Sequence, residues 1–312
     1  MPDLSHLIYI PQPTDQDACV SIKAFETGRM QYPHETVVEA RGDALKTTSW
    51  RFFISHGPSN TKLWFDMGLA TTVDVYPPIV QEVAERLYKF EPAPNTPLDD
   101  MEKIREDPKS VKYVIASHAH WDHMFPVGQH FPQAKMLCGP GTLELTSQSF
   151  PKFESSPYDG RIWDATMSDL PLWDLPSPAN YPSKWQRLGP FANAHDFFGD
   201  GSFWIIDAPG HVAGNLAVLC SARTKTGDRR WILLAADCMH SNDFLDDPEL
   251  PFGYVTSREG FDINAVDERG TMHVEPEKAR AIIRQIAEFK RENPTSVVWL
   301  GHSEELETRE DF

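Results

Sequence analysis

Residues 117–123 read Ser117-His118-Ala119-His120-Trp121-Asp122-His123, an HxHxDH run of histidines around one aspartate. Imidazole and carboxylate are ligands for zinc and other divalent ions, and so many in one short segment exceed what a single zinc takes from it. A helix through the run would turn His118, Trp121 and Asp122 to one side and His120 away. A strand ending in a tight loop lets the chain curl around ions instead. The run directly follows the apolar stretch Val111-Lys112-Tyr113-Val114-Ile115-Ala116, so it reads as the end of a buried strand. The spacing predicts two metal ions and a hydrolytic centre.

Other polar residues close apolar strands in the same way. His211 follows residues 203–206 through Asp207-Ala208-Pro209-Gly210, Asp237 follows Leu233-Leu234-Ala235-Ala236, and His302 follows residues 297–300 and Gly301. Alone, each reads as structural. With His118 they make several strands that end in metal-type ligands, and parallel or mixed sheets gather such ends at one edge.

The elements that must position these residues follow from composition and period. Residues 47–56 and 61–65 are β-branched and aromatic, separated by Gly57-Pro58-Ser59-Asn60, which predicts a hairpin. Residues 77–90 carry Ile79, Val80, Val83, Leu87 and Phe90 at helical spacing. Strands are predicted at 111–116, 134–137, 202–207, 216–220, 231–236 and 297–300, with a polar turn at 224–230. A helix is predicted to open near Gly139-Pro140-Gly141, and another spans 275–291, with Ala279, Ile282, Ile283, Ile286 and Phe289 on one face. Strands followed by helices in both halves predict two packed sheets with helices outside.

Residues 150–191 break this grammar, with many prolines, little period, and Trp163, Trp173 and Trp185. Long loops of this kind are usually functional or disordered, and the aromatic content argues against disorder. The stretch is expected to form a lid or pocket wall, with those tryptophans at the substrate, or else to be surface packing.

Bulk properties narrow the partners. The 312 residues carry a formal net charge of −17, from 29 basic and 46 acidic residues. Such a surface repels phosphate backbones, so a small-molecule substrate is expected and nucleic acid is not. No apolar run approaches the roughly 20 residues that span a bilayer, and no membrane partner is expected. Met1-Pro2-Asp3-Leu4-Ser5-His6 lacks a basic stretch ahead of an apolar one, so no signal peptide is expected. Cys19, Cys138, Cys220 and Cys238 show no CxxC spacing, and reduced thiols in a cytoplasmic protein are the expectation.

The order HxHxDH, then His, Asp and His resembles the metallo-β-lactamase superfamily. Leu63-Trp64-Phe65-Asp66-Met67-Gly68 upstream and Pro209-Gly210-His211 with Gly214-Asn215 extend the likeness across residues 47–302. The resemblance implies an α/β fold, the four-layer αββα sandwich, as one domain over residues 1–312 with the insertion at about 150–191. It implies that His118, His120 and His211 bind one ion, that Asp122, His123 and His302 bind a second, and that Asp237 bridges both. Two divalent ions follow, zinc first, with iron, manganese and cobalt also compatible. Asp66, not needed as a ligand, is assigned to hydrogen-bond a ligand histidine and fix its tautomer. A plain strand-end turn carboxylate is the alternative.

Several branches of the superfamily fit poorly. Diiron oxygen reductases place Glu where this chain has His120, RNA-processing members want a basic exosite, and exported zinc β-lactamases lack an aspartate at the place of Asp237. Persulfide dioxygenases dispense with the ligands that Asp122, His123 and His302 supply here. Carbonyl hydrolases remain. His120-Trp121-Asp122-His123, Phe131-Pro132-Gln133-Ala134 and Gly199-Asp200-Gly201-Ser202-Phe203 are similar to quorum-quenching lactonases and related fungal-type hydrolases. The implied reaction is the opening of a small lactone, lactam or similar ring by a metal-bridging hydroxide, with Asp122, Asp237 and His240 in catalytic roles. Lactonases commonly carry Tyr at the place of His240; a histidine there could polarise the carbonyl, protonate the leaving group or cap the loop. The alternatives are a thioesterase of glyoxalase II type, for which Lys152, Arg161, Lys184 and Arg187 are candidate cations, and a non-catalytic metal-stabilised ligand-binding protein.

Overall fold

The computed structural model describes residues 10–33, 36–39, 44–224, 226–256 and 269–302. Strand β1 (Val20–Pro33) runs antiparallel to β2 (Ala44–His56), which turns back into β3 (Lys62–Phe65). The predicted hairpin is there: His56 N donates to Thr61 O at 2.9 Å, and Asn60 takes the left-handed conformation (φ 52°) that the turn needs. Helices α1 (Pro78–Arg86) and α2 (Pro97–Lys103) carry the chain to β4 (Val111–Ile115), which lies parallel to β3. Helix α1 stops short of the predicted residue 90, its cap at Leu87 giving way to left-handed Lys89 (φ 50°). The sequence reading missed α2, although Pro97 opens it and Thr96 and Asp99 form a reciprocal capping box.

Strand β5 (Lys135–Cys138), the short helices α3 (Thr142–Leu145) and α4 (Gly160–Trp163), and edge strand β6 (Leu172–Asp174) complete the first half. The second half holds β7 (Gln186–Leu188), β8 (Phe191–Asp196), β9 (Phe203–Asp207), β10 (Leu216–Arg223) and β11 (Arg229–Ala236). Short helix α5 (Asp243–Asp246), the two-residue strands β12 (Val255–Thr256) and β13 (Arg269–Gly270), long helix α6 (Pro276–Glu292) and β14 (Val297–Leu300) follow. The halves are ordered β6-β5-β4-β3-β2-β1 and β7-β8-β9-β10-β11-β14, joined where Val20 of β1 pairs with Ala222 of β10.

Alternation along the strands shows how these halves stack. Successive side chains of a strand face opposite ways. Leu63 and Phe65 enter one core with Phe52, Ile54 and Ile115, and that core also takes Phe203, Ile205, Val218, Ile232 and Leu234 from the second half. Trp64, Phe53 and Val114 point the other way, onto Val80 and Ala84 of α1 and Met101 of α2. Trp204, Ile206 and Leu233 point away from the shared core onto Ile282, Ile283, Ile286 and Phe289 of α6. The order of layers is helix, sheet, sheet, helix, the αββα sandwich. Each fully buried Ile or Phe on the face of α6 stabilises its docking by about 1.5–3 kcal/mol. Among the described residues no helix is long and apolar enough to cross a membrane.

The stretch 150–191 corrects an expectation. It contains α4, β6 and β7 and extends the sandwich rather than walling a pocket. Trp163 is buried in the outer core of the first half, beside Ile162 and Leu170. Trp185 is buried in the central core, its Nε1 donating to Pro176 O at 2.7 Å. Trp173 stands 48% exposed on edge strand β6, under the Lys135 ammonium. The aromatic content is divided between the outer core, the central core and a sheet edge.

Candidate metal centre

Strands β9, β11 and β14 run in one direction, since β10 is antiparallel to both β9 and β11 and β14 is parallel to β11. Their ends therefore deliver His211, Asp237 and His302 to one edge. The end of β4 is tied to that edge by Leu216 N, which donates to Ser117 O at 2.8 Å. Close backbone approach sets the angles. A Cβ on Gly301 would lie 2.5 Å from Asp237 Oδ1 and 2.8 Å from His123 Cε1, so only glycine lets His302 come alongside. Gly210 (φ +138°) has no room for a Cβ against Ala279 N at the start of α6, which seats the His211 loop on that helix. Asp66 (φ 56°) and Ala236 (φ 45°) are left-handed at their strand ends, a strain of about 1–3 kcal/mol each that clusters at functional sites.

The residues singled out by the HxHxDH run and by the three other strand ends all converge. Two groups of donor atoms form: His118, His120, His211 and Asp237, and Asp122, His123, Asp237 and His302. In the first, His120 Nδ1 lies 3.0 Å from both His118 Nε2 and His211 Nε2, and Asp237 Oδ2 lies 3.8 and 3.5 Å from those two atoms. In the second, His302 Nε2 lies 3.1 Å from His123 Nε2, 3.1 Å from Asp122 Oδ2 and 3.4 Å from Asp237 Oδ2. His123 Nε2 is 3.1 Å from Asp237 Oδ1. Donors held 2.0–2.1 Å from one tetrahedral ion stand roughly 3.3 Å apart, so both groups have the spacing of ligands around a cation.

The electrostatics of the groups differ. Burial, and then the neighbouring imidazoles, push His118 and His211 well below the ordinary histidine range, and burial lowers His120. This trio is neutral, with lone pairs free. Burial also works against charge on His123 and His302, but Asp237 and Asp66 carry His123 well above its usual range, and Asp237 and Asp122 carry His302 to about 9. In the metal-free chain, protons on these two histidines balance the carboxylates that a cation would otherwise neutralise. Asp237 is held well below the carboxylate range against its burial, by His302 and His123.

Support from behind is uneven. Asp66 Oδ2 is 2.8 Å from His123 Nδ1, and its other oxygen accepts from Ser117 N at 2.7 Å. Ser117 Oγ is 3.0 Å from His118 Nδ1, and Ser49 Oγ is 3.3 Å from His302 Nδ1. His211 Nδ1 is buried without a hydrogen-bond partner among the described residues. His240 Nε2 lies 3.0 Å from Asp237 Oδ2.

A cavity opens on the donors, bounded by Met30, Tyr88, Trp121, Val212, Met272 and Val274 besides His240 and Thr271. Trp163, Trp173 and Trp185 do not line it, which corrects their expected role at the substrate. Among the described residues no Lys or Arg lines it either. Lys152 pairs with Asp164 and Arg161 with Asp159. The sequence reading did not find Met30, Tyr88, Thr271, Met272, Val274 or Ser49, which come from distant segments without a shared period. Ser117 could have been found, since it adjoins His118.

This sandwich, with histidine and aspartate donors in two groups at one sheet edge, has the features of the metallo-β-lactamase class. The sequence profile described as Metallo-beta-lactamase superfamily matches residues 84–129. Among particular proteins, the metallo-hydrolase mfmC of Annulohypoxylon moriforme is 30% identical over 197 residues, 62% of this chain and 48% of that protein. The gamma-lactamase FDB1 of Fusarium pseudograminearum is 28% identical over 216 residues, 67% of this chain and 49% of its own length. The chain thus spans about half the length of the curated relatives it matches. An N-acyl homoserine lactone hydrolase, solved with N-hexanoyl-L-homoserine at its catalytic metal center, superposes with a TM-score of 0.63, covering 93% of this chain and 96% of that one at 16% identity. The last likeness concerns the fold. Together these matches show the resemblance to the metallo-β-lactamase superfamily.

Proposed function

We propose that the chain is a dinuclear metal-dependent hydrolase that opens a small neutral ring, a lactone or a lactam. The observation that carries this reading is the shared carboxylate. Asp237 Oδ2 lies 3.4–3.8 Å from His118, His211 and His302 and faces a cavity with apolar walls. Zinc suits the imidazole and carboxylate donors best, with His118, His120 and His211 on one ion, Asp122, His123 and His302 on the other, and Asp237 between them. When bound, the ions would supply Lewis-acid polarisation of a carbonyl and a water of lowered pKa.

The chain's own residues do the rest. Asp66, Ser117 and Ser49 orient ligand imidazoles from behind. His240 lines the cavity and reaches Asp237, so the pair can pass a proton between that carboxylate and the atom leaving the ring. Met30, Tyr88, Trp121 and Met272 exclude water and hold an apolar ring. Relatives named for lactam and lactone hydrolysis support the choice of a cyclic ester or amide. That no Lys or Arg lines it among the described residues argues against an anionic coenzyme A or glutathione thioester. The charge of −17 favours a small molecule over nucleic acid, and four free cysteines favour the cytoplasm.

The test is a panel of a γ-lactone, a γ-lactam and a thioester, assayed on chelator-stripped protein before and after zinc is restored. Zinc-dependent turnover of a ring substrate with little of the thioester is expected. A thioester turned over faster than both rings would overturn the ring-opening reading. Two bound ions without turnover of any panel member would favour a ligand-binding protein.

A further inference from the structure

Ser49 lies on β2 in one sheet, whereas His302 follows β14 in the other. Their backbones meet as an isolated antiparallel bridge, so the two sheets are stitched together at the edge that carries the donors. Ser49 is 1% exposed, and its Oγ is 3.3 Å from His302 Nδ1. The opposite nitrogen, Nε2, faces Asp122, Asp237 and His123. No other hydrogen-bond partner of that Nδ1 is found among the described residues.

We propose that Ser49 is the positioning residue for the second ligand group. Its oxygen accepts the Nδ1–H of His302, fixing the tautomer that leaves Nε2 free to bind a cation. A terminal sp³–sp² torsion such as histidine χ2 is broad and roughly two-fold, so packing alone sets the ring's orientation weakly. The glycine before His302 offers no side chain to brace it. Asp66 and Ser117 stand in the same relation to His123, and Ser117 to His118, so His302 is a further ligand histidine whose Nδ1 meets an oxygen from behind. The inference rests on the dinuclear reading above.

Ser49→Thr and Ser49→Val test it, since they match in size and differ in the hydroxyl. Each is stripped with chelator and titrated with zinc against a competing chromophoric chelator, alongside thermal melts of the metal-free proteins. Loss of an outer hydrogen-bond partner typically costs about 10–100-fold in metal affinity. That loss is expected for the second equivalent in Ser49→Val, with the first equivalent unchanged and Ser49→Thr close to wild type. The metal-free melts check that both variants fold, with Ser49→Val melting slightly below Ser49→Thr because it leaves the buried Nδ1–H unpaired. If the added bulk unfolds both, Ser49→Ala against wild type gives the same comparison. Wild-type retention of both equivalents in the variant without a hydroxyl would overturn the inference, as would equal weakening in Thr and Val. A wild-type protein that binds no zinc fails earlier, taking the dinuclear reading with it before any variant is compared.

Discussion

A buried charge cluster under α2 and another at the sheet edge are built on opposite plans. Arg51 and Asp100, 0% and 1% exposed, face each other at 3.0 Å. Arg51 Nη2 donates to Asn95 O at 2.5 Å, and Lys103 Nζ donates to Asp100 Oδ1 at 3.0 Å. Each charge meets its opposite within the chain. At the edge, Asp66, Asp122 and Asp237 are packed with six histidines, His240 included, and among the described residues no Lys or Arg lines the cavity, so donor nitrogens face other donor nitrogens. A cluster that closes on itself holds the fold together. One whose donor atoms crowd common points, with only protons balancing its carboxylates, has the arrangement that a cation from outside could join.

Variants can break this contrast. The largest effect is expected from Asp237→Ala, which removes the donor common to both groups. On the dinuclear reading bound ions would supply several kcal/mol of transition-state stabilisation, so turnover should fall by about 10³-fold or more. Metal analysis should show fewer than two ions, while the metal-free fold remains. Wild-type turnover with full metal content would refute the shared-carboxylate reading. Asp100→Ala should do the reverse. Leaving Arg51 buried and unpaired costs about 3–5 kcal/mol of stability by denaturant titration, with zinc stoichiometry unchanged in the folded fraction.

Metal removal comes next. A ligand at 100 times its dissociation constant stabilises the folded state by about 2.7 kcal/mol, so chelation should lower the melting temperature of wild type and of Asp100→Ala by similar amounts. The same site should respond to pH. His302 in the metal-free chain titrates near 9, above its unfolded value of about 6.5. Its contribution to metal-free stability is therefore complete below about pH 6.5 and is lost as pH rises through about 9. A cation must displace that proton, so zinc binding within this window should release protons, read as buffer-dependent heats in calorimetry. The smallest effect is expected from Trp173→Ala. An exposed edge residue away from the cavity should change stability by less than about 0.5 kcal/mol and leave KM unaltered. A raised KM would return the insertion to the site.

The convergence of the donors was legible because metal chemistry demands particular side chains, and because His118, His211, Asp237 and His302 each end an apolar strand. The hairpin before β3 and the face of α6 were legible from their periods. The cavity was not. Met30 reaches it from β1, a strand absent from the sequence reading, and Met272 and Val274 reach it from the segment before α6. The tryptophans of residues 150–191 misled because aromatic density marks buried surface of any kind. Trp163 and Trp185 satisfy it in cores, and only strand pairing decides which.

By itself the sequence determined the donor inventory and the strand ends that carry it, since these depend on residue type and short-range period. Tertiary structure alone decided which donors come together, that Ser49 stands behind His302, and that among the described residues no Lys or Arg lines the cavity. Those relations join residues hundreds of positions apart across two stacked sheets. They depend on register and layer order, which no local pattern encodes.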